Sequence, residues 1–237
     1  MKIYHHYNES HSPSSAREIV PKLINLLNPH SVIDVGCGLG QWLSVFSNCG
    51  VDNIHGFDGS HVSAEDLFIP KNRFTSVNLF DVETIFIKSK FDLVLCLEVA
   101  EHLPESCADS FVEFLIKCGD TIVFSAAIPG QTGENHYNEQ WPTYWEQKFK
   151  KHGYIFFDLI RKDIWNNENV NWWYRQNMFI VSKSVEIYEK YNSYLYDGQL
   201  IVHPELLKMY IYMNTKKVIR KNIYDKLKLV FRWMRFQ

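Results

Sequence analysis

The chain has 237 residues, of which 46% are hydrophobic and 15% aromatic, and a net charge of −2. That length suits one α/β domain with a modest appendage, and the apolar share is that of a globular protein with a sizeable core. The near-neutral balance excludes a polyelectrolyte binder along the whole chain, and no apolar run of about 18 residues is present to span a membrane.

The charge is unevenly placed. Residues 203–237 carry nine basic side chains against Glu205 and Asp225, a net of +7, and the remainder carries a net of −9. Such asymmetry predicts a separate task for the tail. The five cysteines, Cys37, Cys49, Cys96, Cys107 and Cys118, form no C-x-x-C pair. An odd, scattered set predicts reduced thiols in a cytosolic protein. The opening M-K-I-Y-H-H-Y-N-E-S lacks the apolar stretch of a signal peptide, so no leader is expected.

Residues 1–15 are polar and aromatic and end in S-P-S-S. Ser14 or Ser15 is placed to cap a helix running from Ile19 to Leu27, closed before Pro29. If that helix lies over a ligand site, Tyr4, His5 and Tyr7 form part of a lid; a frayed terminus is the alternative.

The stretch from Ser31 to Gln41 reads S-V-I-D-V-G-C-G-L-G-Q. A strand over 32–35 carries Asp34, glycines alternate at Gly36, Gly38 and Gly40, and a helix follows over 41–48. Strand, glycine turn and helix start make the nucleotide-cofactor corner of a doubly wound α/β fold. Glycine permits φ > 0 and presents no Cβ, so a ligand can lie against the backbone. A tight turn that holds nothing is the plain alternative. Further strands are expected over 53–57, 73–77, 91–96, 121–125, 154–160 and 176–181, with helices over 106–117 and 142–152. This alternation predicts parallel βαβ units with right-handed crossovers. Residues 161–175 are long for a hairpin connection, which marks them as a functional loop.

The string V-I-D-V-G-C-G-L-G resembles the first motif of the class I S-adenosylmethionine-dependent methyltransferases. The resemblance implies a Rossmann-like, seven-stranded, mostly parallel sheet with an antiparallel edge strand. It implies S-adenosylmethionine as cofactor, with the glycine loop under its methionine part. The positions carried over are Asp34, Gly36, Cys37, Gly38, Gly40 and Trp42 at the first turn, Asn78 and Leu79 after the third strand, and Leu97 and Glu98 after the fourth. Asp58 ends the second strand, where a carboxylate accepts both ribose hydroxyl protons; capping the next turn is its alternative. The family places an acidic residue near position 78 to pair with the adenine amino group. Here Asn78 or Asp81 would do so.

The string F-D-L-V-L-C-L-E-V-A-E-H-L covers Phe91 to Leu103. If the residues after the strand turn helically, Glu98, Glu101 and His102 share one face and suit a divalent cation such as Mg²⁺. The pattern resembles the E-x-x-E-H element of some metal-dependent O-methyltransferases, in which a further histidine completes the site; His136 is that candidate. The competing reading makes E-V-A-E-H a packing signature in which Glu98 and His102 orient the cofactor loop and no metal binds. An acceptor hydroxyl needs a base or a Lewis acid, so Glu98, His102 and His136 are the catalytic candidates.

The stretches F-S-A-A-I-P-G-Q-T-G-E-N-H-Y-N-E-Q-W-P-T-Y-W, R-K-D-I-W and W-W-Y-R-Q-N resemble a subgroup of bacterial and viral methyltransferases associated with glycan and small-molecule modification. The resemblance spans residues 10–182. Aromatic faces beside amides and a guanidinium suit a sugar, a phenol or a flat base. The substrate-binding candidates are Asn138, Trp141, Arg161, Trp165, Trp173, Tyr174, Gln176 and Asn177; Trp145 adds a further aromatic face. Tryptophans that merely cover the sheet edge are the plain alternative.

From Ile219, one helical stripe holds Ile219, Ile223, Leu227, Val230 and Met234, with Lys221, Lys228, Arg232 and Arg235 opposite. A basic amphipathic helix reads as a membrane-surface or partner-docking element, or as one packed on the core or on a second copy. The expected organisation is a methyltransferase domain over 1–183 and a helical extension over 184–237. The expected activity is O-methylation of a sugar or glycan hydroxyl in the cytoplasm, with peripheral membrane or glycosyltransferase contact through 203–237 and no nucleic-acid partner. Its alternatives are methylation of a phenol or quinone-type small molecule and a non-catalytic cofactor-binding subunit of a glycan-assembly complex. A nicotinamide oxidoreductase is disfavoured by the glycine spacing, and no Tyr-x-x-x-Lys dyad is expected beside the turn.

Overall fold

A computed structural model describes residues 12–216 and Lys221. Seven strands form one sheet in the order β3-β2-β1-β4-β5-β7-β6. The central strand β1 (Ser31–Val35) pairs in parallel with β2 (Asn53–Asp58) and β4 (Leu93–Leu97). Outward on one side lies β3 (Phe74–Ser76), and on the other β5 (Thr121–Ser125), both parallel. The reversed strand β7 (Phe179–Ser182) runs antiparallel between β5 and the outermost strand β6 (Ile155–Phe157). This is the α/β sheet that the resemblance implied.

Strand side chains alternate between two cores, as a period of two requires. Val32, Leu93, Leu95 and Ile180 join Ile19, Leu23, Leu43 and Phe46 of α1 (Ser14–Leu27) and α2 (Gln41–Asn48). Ile33, Val94, Cys96 and Val181 join Phe111, Leu115, Trp145 and Phe149 of α3 (Ala108–Cys118) and α4 (Pro142–Lys150) on the other face. Helices on both faces explain why β1, β4 and β5 are buried along their whole length. The order of connection reverses between β1 and β4. The crevice at their carboxyl ends is therefore the topological switch point, where such sheets bind ligands.

Several local expectations are corrected. Neither Ser14 nor Ser15 caps α1: the N-cap position is Pro13, with no side-chain cap. The Ser15 hydroxyl instead accepts the Asn171 N–H at 2.9 Å. The 161–175 connection holds two short helices, α5 (Arg161–Ile164) and α6 (Trp172–Asn177), so Gln176 and Asn177 end a helix rather than begin a strand. Between β3 and β4 a single 3₁₀ turn, Val82–Thr84, stands where a crossover helix would pack.

The chain's contacts divide after Ile201, beyond the expected boundary at 183. Residues 184–201, which include α7 (Val185–Tyr191), pack on the first unit. The Tyr191 hydroxyl donates to the Leu26 carbonyl at 2.9 Å, and the Tyr196 ring meets Phe179 edge-on at 4.9 Å. In the second unit residues 204–216 are helical. The lid residues Tyr4, His5 and Tyr7 and the stripe from Ile219 lie outside the described residues, Lys221 excepted. All five cysteines are free thiols. No helix among the described residues is long and apolar enough to cross a membrane.

Candidate active site

Gly36, Gly38 and Gly40 all have positive φ, at 84°, 54° and 82°. Two of them face the protein's own packing rather than a ligand. A Cβ on Gly36 would lie 2.3 Å from Val99 Cγ2, and one on Gly40 2.9 Å from Ile69 Cγ1. The Gly36 and Cys37 amides both donate to the Phe57 carbonyl, at 2.8 and 3.0 Å. The buried Cys37 thiol sits against Gly56 of β2, and burial pushes its ionisation well up. Cys37 thus shapes the turn and offers the crevice no thiol.

Asp58 stands at the end of β2, across from this turn. Its Oδ2 accepts the Gly38 N–H at 2.7 Å and its Oδ1 the Gly59 N–H at 2.6 Å, with His61 Nε2 3.3 Å away. Oδ1 thus already has two partners, and Oδ2 retains a second lone pair. The turn-capping alternative is seen directly, and the ribose-acceptor alternative would use Oδ2. Asp34, 2% exposed on β1, has its ionisation raised well above the usual range by burial and then by the Asp58 charge. Asn78 is exposed, and its Oδ1 accepts the Phe80 N–H at 3.1 Å, closing a turn with the oxygen expected to meet adenine. Leu79 packs partly buried against the second core, and Leu97 is buried at the end of β4. Trp42 is buried on α2, with the Tyr174 ring edge-on at 5.2 Å.

Beyond β4 the backbone does not turn helically at once. Glu98 adopts a left-handed conformation with φ 56°, and a 3₁₀ turn, Ala100–His102, follows. A non-glycine residue there is strained and persists only where its surroundings over-determine it. The Glu98 N–H donates to the Ser125 carbonyl and hydroxyl, at 3.0 and 3.1 Å. Its carboxylate accepts Gln131 Nε2 at 2.7 Å and Asn177 Nδ2 at 3.2 Å. Asn177 also donates to Gln131 Oε1 at 2.8 Å, and Gln176 Nε2 donates to Asn177 Oδ1 at 3.0 Å. Gln131, Gln176 and Asn177 are all buried. They clamp Glu98, so Gln176 and Asn177 spend their amides inside the protein instead of facing an acceptor.

Glu98 lies beside the Glu101 carboxylate but is not one of the residues whose ligand atoms cluster. Among the described residues, Glu101, His102 and His136 are the ones that bring ligand atoms within 4.8 Å of one another. Glu101 is fully buried, its carboxylate held near the Glu101 and Ala127 backbone and the Glu98 carboxylate without a fully formed hydrogen bond to any of them. Burial, and next the Glu98 charge, push its carboxyl well up. The His102 ring, 3.3 Å through Nδ1 from the Asn135 carbonyl, is lowered to about 4 by burial and then by His136. It is thus neutral near pH 7, as a metal ligand must be. His136 Nδ1 bonds Glu139 Oε1 at 2.9 Å, the carboxylate–imidazole pairing that fixes a ligand's orientation. A Cβ on Gly133 would lie 2.2 Å from His136 Nε2, so glycine lets the imidazole pack this closely on the loop. An orphaned buried carboxylate, a neutral imidazole and an anchored one fit a cation. Of the divalent cations expected, two imidazoles with one carboxylate suit a first-row transition ion better than Mg²⁺.

The aromatic candidates divide. Trp172, Trp173 and Tyr174 form a run on α6 with centroid spacings of 5.7 and 5.9 Å, ending on Trp42. Burial, then Glu98, raises the Tyr174 phenol far above its usual range, keeping it neutral. Trp141 precedes α4 and is half-buried, as is Trp165, whose carbonyl accepts Arg175 Nη1 at 3.2 Å. Trp145 is 1% exposed and belongs to the core. Asn138 is buried behind Glu101, its N–H on the Glu101 carbonyl at 3.0 Å and its Oδ1 on Gln140 Nε2 at 2.9 Å. Arg161 is 4% exposed, with Nε and Nη2 on Asp158, Nη1 on the Gln176 carbonyl at 3.1 Å and its guanidinium 4.2 Å over Phe179. It braces the fold rather than lining the crevice. A Tyr-x-x-x-Lys spacing does occur, at Tyr144 and Lys148 on α4. Lys148 lies over the Tyr144 ring and pairs with Asp109 of α3 at 2.9 Å, which places it in a helix–helix contact.

Sequence reasoning missed Gln131, His61 and Glu139. The spacing of Glu139, three residues after His136, was visible; Gln131 lies in an irregular loop and carries no period.

A family model described as "Methyltransferase domain" matches residues 4–186. A curated relative from Campylobacter curvus, named tRNA U34 carboxymethyltransferase, is 39% identical over 90 residues, which are 33% of this chain and 30% of the relative. The match thus spans under a third of that relative's length. Among solved structures, magnesium protoporphyrin IX methyltransferase from Synechocystis PCC 6803 with bound SAH superposes with a TM-score of 0.54 at 18% identity. That match covers 73% of this chain and 83% of the other. The methyltransferase domain of bacterial CtHen1-C gives 0.52 at 21% identity, covering 71% and 97%. At such identities these likenesses speak to the fold.

Proposed function

The chain belongs to the methyltransferase-domain family, and from that premise we propose that it transfers a methyl group from S-adenosylmethionine to a hydroxyl of a sugar or glycan. The cofactor would be held in the switch-point crevice, with Asp58 as acceptor for the ribose hydroxyls and Asn78 and Leu79 on the adenosine side. Structures of the fold carry this cofactor or its product, as in the Synechocystis enzyme described with SAM and with SAH.

The observation that carries a hydroxyl acceptor is the trio Glu101, His102 and His136 at the carboxyl end of β4. A hydroxyl ionises far above pH 7 and needs its proton lowered or removed. A cation held by these three residues would act as a Lewis acid on the acceptor oxygen. His102 and His136 are the bases if the site works without one. Glu139 orients His136, and Gln131 and Asn177 hold the Glu98 carboxylate in place at the end of β4. The sulfonium already activates the methyl group, so the remaining work is to place the acceptor oxygen about 3–3.5 Å away and in line. Trp173 and Tyr174 give the sugar's C–H face a flat wall.

Transfer of labelled methyl to fractionated extracts, with Mn²⁺, with Mg²⁺ or with chelator, tests this reading. Label in saccharide or lipid-linked saccharide, lost on chelation and restored better by Mn²⁺, is expected. Label only in phenolics, RNA or protein would refute the glycan acceptor. A flat base is the second reading, favoured by the relative named for tRNA and by the stacking surface of α6. The acidic balance outside the tail disfavours it.

A further inference from the structure

The helix over 204–216 carries an apolar surface that the methyl-transfer reading leaves unused. Leu207, Tyr210, Ile211 and Tyr212 are each more than half exposed, at 55, 54, 56 and 58%, and Met213 at 40%. From 207 to 213 the one charge is Lys208, tied to Glu205 at 2.7 Å. A helix segment so uniformly apolar needs cover. The charge that follows selects what covers it. After Met213 the chain has eight basic residues against Asp225 alone. A second copy seated on this face would bring the same positive charge against it. A surface that supplies both apolar depth and negative charge would not. Lys216 Nζ lies 4.4 Å over the Tyr212 ring, a pairing of two side chains with apolar stems and polar tips, as found at a water–lipid boundary.

We propose that residues 204–216, with Lys221, form a docking surface for an anionic lipid bilayer. The helix lies in the plane of the boundary, with Leu207, Tyr210 and Ile211 entering the acyl region and Lys216 and Lys221 reaching the headgroups. Such a surface would hold the enzyme where lipid-linked acceptors are displayed, yet the binding stands independently of the methyl-transfer reading.

The test is co-sedimentation of the full chain with vesicles of phosphatidylcholine, with and without about 30% phosphatidylglycerol. Binding about tenfold or more tighter to the anionic vesicles is expected, falling away at about 0.5 M salt. The double variant Leu207→Asp, Ile211→Asp is expected to lose binding to both, and Lys216→Glu, Lys221→Glu to lose the preference for anionic vesicles. All four positions are exposed, so each variant should melt like the wild type. Absent binding, equal binding to neutral and anionic vesicles, or binding unchanged in Leu207→Asp, Ile211→Asp would overturn the proposal. So would a dimer, seen by light scattering, that this variant splits, since the face would then belong to a second copy.

Discussion

Replacing Asn177 with leucine tests the clamp on Glu98. Asn177 is 2% exposed, and leucine keeps its branched outline, with two bulkier methyl groups in place of the amide. The substitution removes the donor to Glu98 Oε1 at 3.2 Å and the donor to Gln131 Oε1 at 2.8 Å. Each buried acceptor deprived of its donor costs about 1–3 kcal/mol, the upper end applying to a charged one. Glu98 keeps Gln131 Nε2 at 2.7 Å and Gln131 Oε1 keeps Gln176 Nε2 at 3.4 Å, which limits both shares, while Gln176 Nε2 loses Asn177 Oδ1 at 3.0 Å. The expected loss is about 3 kcal/mol, or roughly 6–12 °C in the melting of a unit of this size. Urea titration followed by circular dichroism reads the first figure and a thermal scan the second. Gln131→Leu removes groups of the same network, so the double variant should fall short of additivity by about 1 kcal/mol or more. A cost for Asn177→Leu under about 0.5 kcal/mol, or strict additivity, would refute the network.

Gly36→Ala should lose about 2–4 kcal/mol, because it combines a left-handed φ with a Cβ inside Val99; Val99→Ala in the same chain should recover part of that in thermal melts. Arg161→Met should cost about 2–3 kcal/mol by stranding the Asp158 carboxylate and the Gln176 carbonyl, while the acceptor KM of the folded fraction stays unchanged; a raised KM alone would return Arg161 to the crevice. Glu139→Gln should weaken Mn²⁺ affinity, read by calorimetry, about tenfold or more through His136, with Glu101→Gln weakening it further. Trp173→Ala should raise the acceptor KM several-fold and leave kcat near its original value if the α6 aromatics form the acceptor wall.

The sheet was legible because its signals are short-range. The buried run of β4, the alternation of glycines after β1 and Asp58 at the end of β2 each follow from a local period or a turn requirement. The roles of polar residues were less so. Arg161 and Asn177 have the composition of a sugar site, yet burial by α5 and α6 turns their donors inward. The helical turn expected from Glu98 to His102 is replaced by a positive φ at Glu98 and a 3₁₀ turn, which no side-chain pattern announces, although Glu98 and Glu101 still come together. The glycines of the first turn were read as room for a ligand. Two of them make room for Val99 and Ile69, which are distant in sequence. The packing of Tyr191 and Tyr196 against Leu26 and Phe179 is a tertiary contact that the sequence of 184–201 does not announce.

Calorimetric titration with S-adenosylhomocysteine, on the wild type and on Asp58→Asn, tests the central claim most directly. The account predicts one site per chain and an affinity about tenfold or more weaker for Asp58→Asn, with both proteins melting as folded domains. Absence of binding to the wild type, or equal affinity in the two proteins, would contradict a cofactor held at the switch point between β1 and β4.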